Sequence, residues 1–182
     1  MKYIVIVNGK PKSGKTTFQE RCTKYLHINE LAYSHIYSSI DYIKDIYMKL
    51  GWNGVKTDKA RKDLSILKQM WINNCNGPLK CTFDYVAGLD DDNDHVVFID
   101  IREEDEIIKF KEMFDALSPI GIKCTTVFID RDDNAGLEYG NKSDDNVGQN
   151  MSLYEHIIYN VGSIDNLHAT ADAFIYRLLE EE

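Results

Sequence analysis

The chain has 182 residues, of which 43% are hydrophobic and 28% charged, and this composition fits one globular domain with a substantial core. Its formal net charge of -9 argues against nucleic acid as the main partner, because nucleic-acid backbones are bound by clustered Lys and Arg. The net charge is compatible with a small phosphorylated substrate, which a few local cations can hold. No apolar run approaches the ~20 residues of a membrane span, and no signal peptide is evident, so we expect no membrane association and a cytoplasmic location.

The first half of the chain is predicted to begin with a buried strand and to continue mainly as helices. Residues 2–7 read KYIVIV, an apolar and β-branched run typical of a strand that is covered on both faces in a parallel sheet. Apolar residues at helical spacing follow, with Thr57 as the expected cap of one helix and Gly77-Pro78 as a break before the next. The predicted strands are residues 1–7 and 33–38, and the predicted helices are residues 14–26, 40–50, 58–74 and 79–87.

The second half alternates more regularly between strands and helices. It opens with an acidic run over residues 90–94, for which we favour a solvated turn and keep a cation site as the alternative. Residues 131–150 are polar with little periodicity, which predicts a short lid or surface loop. The predicted strands are residues 96–100, 123–129 and 155–159, and the predicted helices are residues 103–117 and 164–179.

This alternation predicts an α/β fold, with a mainly parallel sheet flanked by helices on both faces and a single domain over residues 1–182. In such sheets, ligands bind at the carboxyl ends of the strands. The motifs with recognisable chemistry fall at these ends.

A phosphate-binding motif lies between the first strand and the first helix. Residues 9–16, GKPKSGKT, match the pattern G-x-x-x-x-G-K-T, which is specific in this context. Gly9 and Gly14 let backbone N–H groups approach phosphate oxygens, and the helix adds its N-terminal dipole. We expect Lys15 to reach the β- and γ-phosphates of a nucleoside triphosphate and Thr16 to offer its hydroxyl to Mg²⁺.

An acidic residue ends the apolar run VVFID. Asp100 is therefore placed to help hold Mg²⁺ beside the phosphate loop, and a helix N-cap is its alternative or additional role. Arg102 is expected at the same rim, where it could clamp a phosphate, the alternative being a surface ion pair with a neighbouring acid.

Four segments in order resemble the nucleoside monophosphate kinase superfamily, and within it the branch that holds phage deoxynucleoside monophosphate kinases and animal-type phosphomevalonate kinase. They are IVNGKPKSGKTT, TDKARKDLSILKQMW, VVFIDIREEDEI and IIYNVGSIDNL. Only the first is highly specific by itself. The resemblance implies a three-layer P-loop kinase fold, with a substrate-binding helical segment at about 39–88 and a lid at about 131–150.

The resemblance also implies an enzyme that passes the γ-phosphoryl group of ATP, with Mg²⁺, to a small phosphorylated acceptor, in first place a nucleoside or deoxynucleoside monophosphate. Its catalytic residues would be Lys15, Arg102 and Arg131, with Arg61 and Arg102 on the acceptor phosphate and Thr16 and Asp100 on the metal. The implied ATP-binding residues are Gly9, Lys12, Ser13, Gly14, Lys15, Thr16 and Thr17. Lys12 could also reach the acceptor phosphate.

The predicted lid departs from this superfamily, whose lids usually carry two or more arginines. Its only cations are Arg131 and Lys142, among four aspartates. Two alternatives therefore stay open: a kinase of phosphomevalonate or another small phosphate acceptor, and a nucleotide-binding sensor with a degenerate lid. Asn141-Lys142-Ser143-Asp144 has the letters of a guanine signature, but it lies in the presumed lid and not at a strand end, so a GTPase is disfavoured.

Other side chains give weaker signals. The four cysteines lack C-x-x-C spacing and any zinc pattern, so we expect reduced and mostly buried thiols. The five histidines are scattered and form no catalytic or metal pattern. Tyr33, Tyr37 and Tyr42 could line an acceptor pocket, although aromatic residues at such spacing more often belong to the core.

Overall fold

The secondary structure follows the predicted order of strands and helices. The structure, a computed structural model, describes residues 1–38, 40–55, 57–117, 121–131 and 147–180. The strands are β1 (Lys2–Asn8), β2 (Tyr33–Ser38), β3 (His95–Asp100), β4 (Ile122–Asp130) and β5 (His156–Tyr159). The helices are α1 (Lys15–Ile28), α2 (Asp41–Lys49), α3 (Asp58–Cys75), α4 (Gly77–Ala87), α5 (Glu104–Asp115) and α6 (Ile164–Glu180), with a 3₁₀ turn at Met151–Leu153.

The strands form one sheet in the order β2-β3-β1-β4-β5. β1 lies in the middle and pairs in parallel with β3 and β4, and β4 pairs in parallel with β5. In this register Val7 is opposite both Asp100 and Val127. The loops that follow β1, β3 and β4 therefore leave the sheet at the same edge, where α/β sheets bind ligands.

Helices cover both faces of the sheet. The odd-numbered β1 residues Tyr3, Val5 and Val7 belong to a core cluster with α1 and α6, because successive strand residues point to opposite faces. The even-numbered Ile4 and Ile6 are also fully buried, and α5 packs on β4 with Ile107, Phe110 and Phe114 buried. These three layers confirm the predicted fold class.

The chain divides into two compact units. Unit 1 comprises Met1–Ile36 and Asp90–Glu182, and unit 2 comprises Tyr37–Leu89, with α2, α3 and α4. The bounds of unit 2 are close to those of the segment at 39–88 that we expect to bind substrate. That role and the single-domain organisation stay predictions.

Unit 2 confirms one predicted helix boundary and corrects another. Thr57 caps α3, since its Oγ1 accepts a hydrogen bond from the Ala60 N–H at 3.1 Å. Gly77-Pro78, however, does not separate two helices but forms the first turn of α4. The chain turns at Asn76, which adopts the left-handed conformation (φ 50°), and Pro is well tolerated in a first helical turn.

The acidic run forms an exposed turn, as predicted. Lys2 Nζ lies 2.9 Å from Asp91, the N-terminal ammonium pairs with Asp94, and Asp90 accepts hydrogen bonds from Asn93. Within the ranges that the structure describes, no group of three acidic, His or Cys side chains could hold a metal ion. The alternative of a cation site is therefore not supported.

Two expectations about burial are wrong. Only Cys22 is buried among the four cysteines, all of which are free thiols. Tyr33 and Tyr42 are 60% and 52% exposed, so neither is a core residue, whereas Tyr37 is half-buried and stacks on Tyr85. In each case exposure depends on tertiary neighbours and not on residue type.

None of the helices in the described part of the chain is both long enough and apolar enough to cross a bilayer.

Replacing Phe18 should destabilise unit 1. This side chain is fully buried between the sheet and α6, with its ring centroid 5.5 Å from that of Phe174. We expect Phe18→Ala to lower the free energy of unfolding by about 3–5 kcal/mol, because it removes buried apolar surface and leaves a cavity. Urea denaturation measures this, with Ile28→Ala as the control at a 63% exposed position on the same helix. Equal losses in the two variants would contradict the packing described.

Acid should weaken unit 1 through His35. Its Nε2 lies 3.1 Å from His95 Nδ1, and burial, followed by the charge of His95, lowers the pKa of His35 below 6.5. The folded chain then binds this proton more weakly than the unfolded chain. Its contribution to stability is present above the unfolded-state pKa and is lost as the pH falls through the folded-state pKa.

We therefore expect the free energy of unfolding to fall more steeply in the unaltered chain than in His35→Gln between about pH 7 and pH 5. The glutamine amide can still bond to His95 but does not titrate. His27→Gln is the control at an exposed site. Equal slopes in the unaltered chain and His35→Gln would refute this account.

Candidate phosphate-binding site

The phosphate loop joins the end of β1 to the start of α1. β1 ends at Asn8 and α1 begins at Lys15, so the motif has the predicted strand–loop–helix context. Inside the loop, the Ser13 N–H donates to the carbonyl of Lys10 at 3.1 Å, and the Phe18 N–H donates to that of Gly14 at 2.9 Å. The turn leaves the N–H groups at the start of α1 free of helical partners, as in any first helical turn.

Both motif glycines are required by space and by backbone conformation. Gly9 (φ +148°) is so close to the Ile129 carbonyl that a Cβ would lie 2.5 Å from its oxygen. Gly14 (φ +102°) caps α1, and a Cβ there would lie 2.5 Å from Asn160 Nδ2. A side chain at either position would displace a strand or the asparagine next to the loop.

Lys15 bends back over its own loop. Its Nζ donates to the carbonyl oxygens of Gly9 and Lys10, at 2.9 Å in the second case. The side chain is half-buried, so the positive charge stays at the loop.

Ser13 presents a buried hydroxyl to the interior of the loop. The residue is 1% exposed, and among the described residues its Oγ has no hydrogen-bond partner. A buried hydroxyl without a partner costs free energy, which a ligand oxygen could recover. Lys12, one residue earlier, is exposed and adopts a left-handed conformation (φ 64°).

The loop is anchored by an asparagine from the other end of unit 1. Asn160 follows β5, its N–H donates to the Asp130 carbonyl at 2.7 Å, and its Nδ2 donates to the Ser13 carbonyl at 2.8 Å. This asparagine is part of the segment IIYNVGSIDNL, but the sequence alone did not assign it a role.

Asp100 ends β3 in a half-buried position. Gln19, 1% exposed on α1, donates from Nε2 to Asp100 Oδ1 at 2.8 Å, an interaction that the sequence did not reveal. The N-cap of α5 is Glu103, so the alternative role of Asp100 as a helix cap is wrong. Arg102 is exposed two residues beyond the strand.

A cavity of about 500 Å³ opens beside the loop. Its described lining includes three cations, Lys12, Lys15 and Arg131, and no acidic side chain. The other lining residues are Ser13, Gly14, Thr16, Thr17, Asn160, Gly162, Ile164 and Leu167. The structure thus brings Arg131 together with six of the seven predicted ATP-binding residues.

The remaining predicted residues lie elsewhere or outside the described ranges. Arg61 is exposed on α3 of unit 2. Residues 132–146 of the predicted lid, which include Lys142 and the guanine-like motif, lie outside the described residues.

Comparisons with known proteins agree on the fold. No protein-family model and no curated protein matches this sequence. The APS kinase CysC of Mycobacterium tuberculosis in complex with AMPPNP and APS matches with a TM-score of 0.50 and 12% identity, over 99% of this chain and 98% of that one. Kti12 of Chaetomium thermophilum in complex with ADP-AlF3 matches with a TM-score of 0.51 and 11% identity, over 96% and 97% of the two chains.

Identities this low show the fold alone. In its described residues the chain therefore has the three-layer α/β architecture of P-loop kinases, as the motif order predicts. The comparisons assign neither a branch of that superfamily nor an acceptor.

A single methyl group at Gly14 should weaken nucleotide binding. It would collide with Asn160 Nδ2 and break the bond that anchors Ser13. We expect Gly14→Ala to weaken ATP binding by about tenfold or more, measured by isothermal titration calorimetry. Gly51→Ala is the matched control, since Gly51 has nearly the same φ (+100°) and nothing within 4 Å of the added carbon. Similar affinity in both variants would exclude the Asn160 anchor as a determinant of binding.

Proposed function

We propose that the protein transfers the γ-phosphoryl group of ATP, with Mg²⁺, to a small phosphorylated acceptor, and that a nucleoside or deoxynucleoside monophosphate is the favoured acceptor. The observation that carries this proposal is the phosphate loop, in which Gly9 packs against the Ile129 carbonyl, Gly14 packs against the Asn160 side chain, and Lys15 is held over the loop. The parallel sheet supports it further, because β3 brings an acid and an arginine to the same edge.

The loop suits a polyphosphate. The N terminus of α1 supplies N–H groups and a favourable dipole, and Lys12, Lys15 and Arg131 supply positive charge in a chain of net charge -9. The buried Ser13 hydroxyl lacks a protein partner among the described residues and could take a phosphate oxygen as one. The Ile164 and Leu167 side chains, which also line the cavity, would offer apolar surface for the base of the nucleotide.

The oxygen ligands near the loop fit Mg²⁺. Thr16, in the first turn of α1, and Asp100, at the end of β3, are the residues that would hold it, and Gln19 fixes the carboxylate of Asp100. Mg²⁺ is usually bound by one or two protein oxygens together with phosphates and water, so a larger acidic cluster is not needed. When bound, the ion would neutralise charge on the β- and γ-phosphates.

Three arginines outside the phosphate loop are the proposed further contacts to phosphate groups. Arg131 lines the cavity and would stabilise the donor phosphates, and Arg102 would hold the acceptor phosphate. Arg61 is proposed as a second acceptor residue on the grounds of the family resemblance alone. Phosphoryl transfer needs positioning and charge neutralisation more than proton transfer, and these cations supply both.

An acceptor panel tests the proposal. ADP formation is measured with ATP and Mg²⁺ against ribonucleoside monophosphates, deoxynucleoside monophosphates, phosphomevalonate and no acceptor. We expect turnover with a nucleoside or deoxynucleoside monophosphate, and losses of about a hundredfold or more for Lys15→Ala and Arg102→Ala, because each removes a charge that stabilises the transferring or accepting group. Lys24→Ala, at an exposed position on α1, is the control.

The outcomes separate the alternatives. Turnover with phosphomevalonate alone would keep the reaction class and replace the acceptor. Tight ATP binding without turnover on any acceptor would overturn the kinase proposal and favour a nucleotide sensor.

A further inference from the structure

A single asparagine side chain connects three segments at the carboxyl edge of the sheet. Asn8 is the last residue of β1 and is completely buried. The five preceding residues, 3–7, are all apolar, and a buried carboxamide at the end of such a strand must be paired to avoid a desolvation penalty. Its partners show what it does.

The side-chain oxygen of Asn8 binds the phosphate loop. The Gly9 N–H donates to Asn8 Oδ1 at 2.7 Å, and the carbonyl of the same Gly9 accepts the ammonium of Lys15. Because Oδ1 accepts from a backbone N–H, the orientation of the amide is determined by this bond. Asn8 therefore holds the N–H of Gly9, the residue whose carbonyl oxygen accepts a hydrogen bond from Lys15.

The side-chain nitrogen of Asn8 donates hydrogen bonds to two other segments at the same edge of the sheet. Nδ2 donates to the hydroxyl oxygen of Tyr154 at 2.6 Å and to the carbonyl of Arg102 at 3.3 Å. The two N–H bonds of the amide thus reach the segment after β3 and the segment before β5. Both donors are used in a site that excludes bulk water.

We propose that Asn8 is a positioning residue for phosphoryl transfer, which holds the Lys15 side of the phosphate loop and the Arg102 segment at a fixed separation, with Tyr154 locking the orientation of its amide. This inference rests on the proposed function. Asn8 is not among the residues that line the cavity, so it would act through Gly9 and Arg102.

The separation between the phosphate loop and the Arg102 segment should matter more for the transfer step than for nucleotide binding. The N–H groups that bind phosphates lie at the start of α1 and are anchored independently by Asn160 through Ser13. Asn8 instead relates the donor loop to the proposed acceptor arginine, and this relation determines how well the two reacting groups meet. A lost Asn8 bond should therefore lower kcat more than nucleotide affinity.

Asn8→Asp is the sharpest test, because it keeps the oxygen that accepts from Gly9 and removes only the two donors. At about pH 8 we expect kcat to fall about tenfold or more, with the Kd for ATP within about threefold of the unaltered chain. The ionised carboxylate would face the Arg102 carbonyl, and two acceptors cannot form a hydrogen bond.

Protonation of the introduced carboxyl group should restore the kcat of Asn8→Asp. Burial raises the pKa of an introduced carboxyl group, and its protonated oxygen can again donate. The titratable group bonded to this position is Tyr154, whose pKa is raised to about 12 by burial, so it stays neutral in the tested range. The charged groups next to the partners of Asn8 are Lys15, at the Gly9 carbonyl, and Glu104, whose charge acts on Tyr154. We expect the kcat of Asn8→Asp, relative to the unaltered chain, to recover as the pH falls from about 8 to about 6. A purely structural role would not produce this profile.

Tyr154→Phe gives a second, milder test in case Asn8→Asp does not fold. It leaves one amide hydrogen of Asn8 without its acceptor, and kcat should fall about three- to tenfold with the ATP Kd unchanged. In the double variant with Asn8→Asp, the fold-loss of kcat should be smaller than the product of the two single fold-losses, since both substitutions act through one hydrogen bond. Asn29→Asp and Tyr159→Phe, at exposed positions, are the matched controls.

The experiment distinguishes two kinds of failure. If the unaltered chain binds ATP but turns over no acceptor, the proposed function fails and the inference falls with it. If the unaltered chain turns over an acceptor, the inference alone is overturned by any of three results: kcat in both variants within twofold of their controls, losses that match losses of ATP affinity, or no recovery of Asn8→Asp at low pH.

Discussion

The parallel pairing of β1 between β3 and β4 is the constraint on which the site depends. Each strand contributes its own loop, and the shared register brings all three loops to one edge of the sheet. The phosphate loop, Asp100 and Arg131 are far apart in the chain and meet only because their strands end side by side. A one-residue slip in either pairing would send each side chain of the strand to the opposite face of the sheet, where it would not match the packed helix, so the core that stabilises the sheet also protects the site geometry.

Close backbone contact is the second constraint, and it explains why two glycines are needed. Gly9 lies against the Ile129 carbonyl and Gly14 against Asn160, so the loop is pressed onto β4 and onto the segment after β5. The polar partners of the loop are therefore mainly backbone groups and amide side chains, which keep one protonation state. The charged residues are left to face the cavity.

The sequence predicts what depends on local pattern. The apolar run of residues 2–7, the glycine spacing and the cap at Thr57 are properties of neighbouring residues, and the structure confirms them. The partners Asn8–Arg102, Gln19–Asp100 and Asn160–Ser13 are separated by 94, 81 and 147 residues. No periodicity in the chain relates such positions. The exposure of Cys75 and Tyr42 does not follow from the sequence for the same reason, since it depends on which distant segments cover them.

The hydrogen bonds of Lys15 to its own loop set a threshold for the ligands that the loop accepts. The ammonium group already donates hydrogen bonds to the carbonyls of Gly9 and Lys10. An anion must therefore bind the ammonium group more strongly than these two carbonyls do before the side chain moves away from them. A ligand with several adjacent phosphates exceeds that threshold easily, whereas a singly charged ion gains little. The same two carbonyls would accept the ammonium again whenever a ligand leaves the loop.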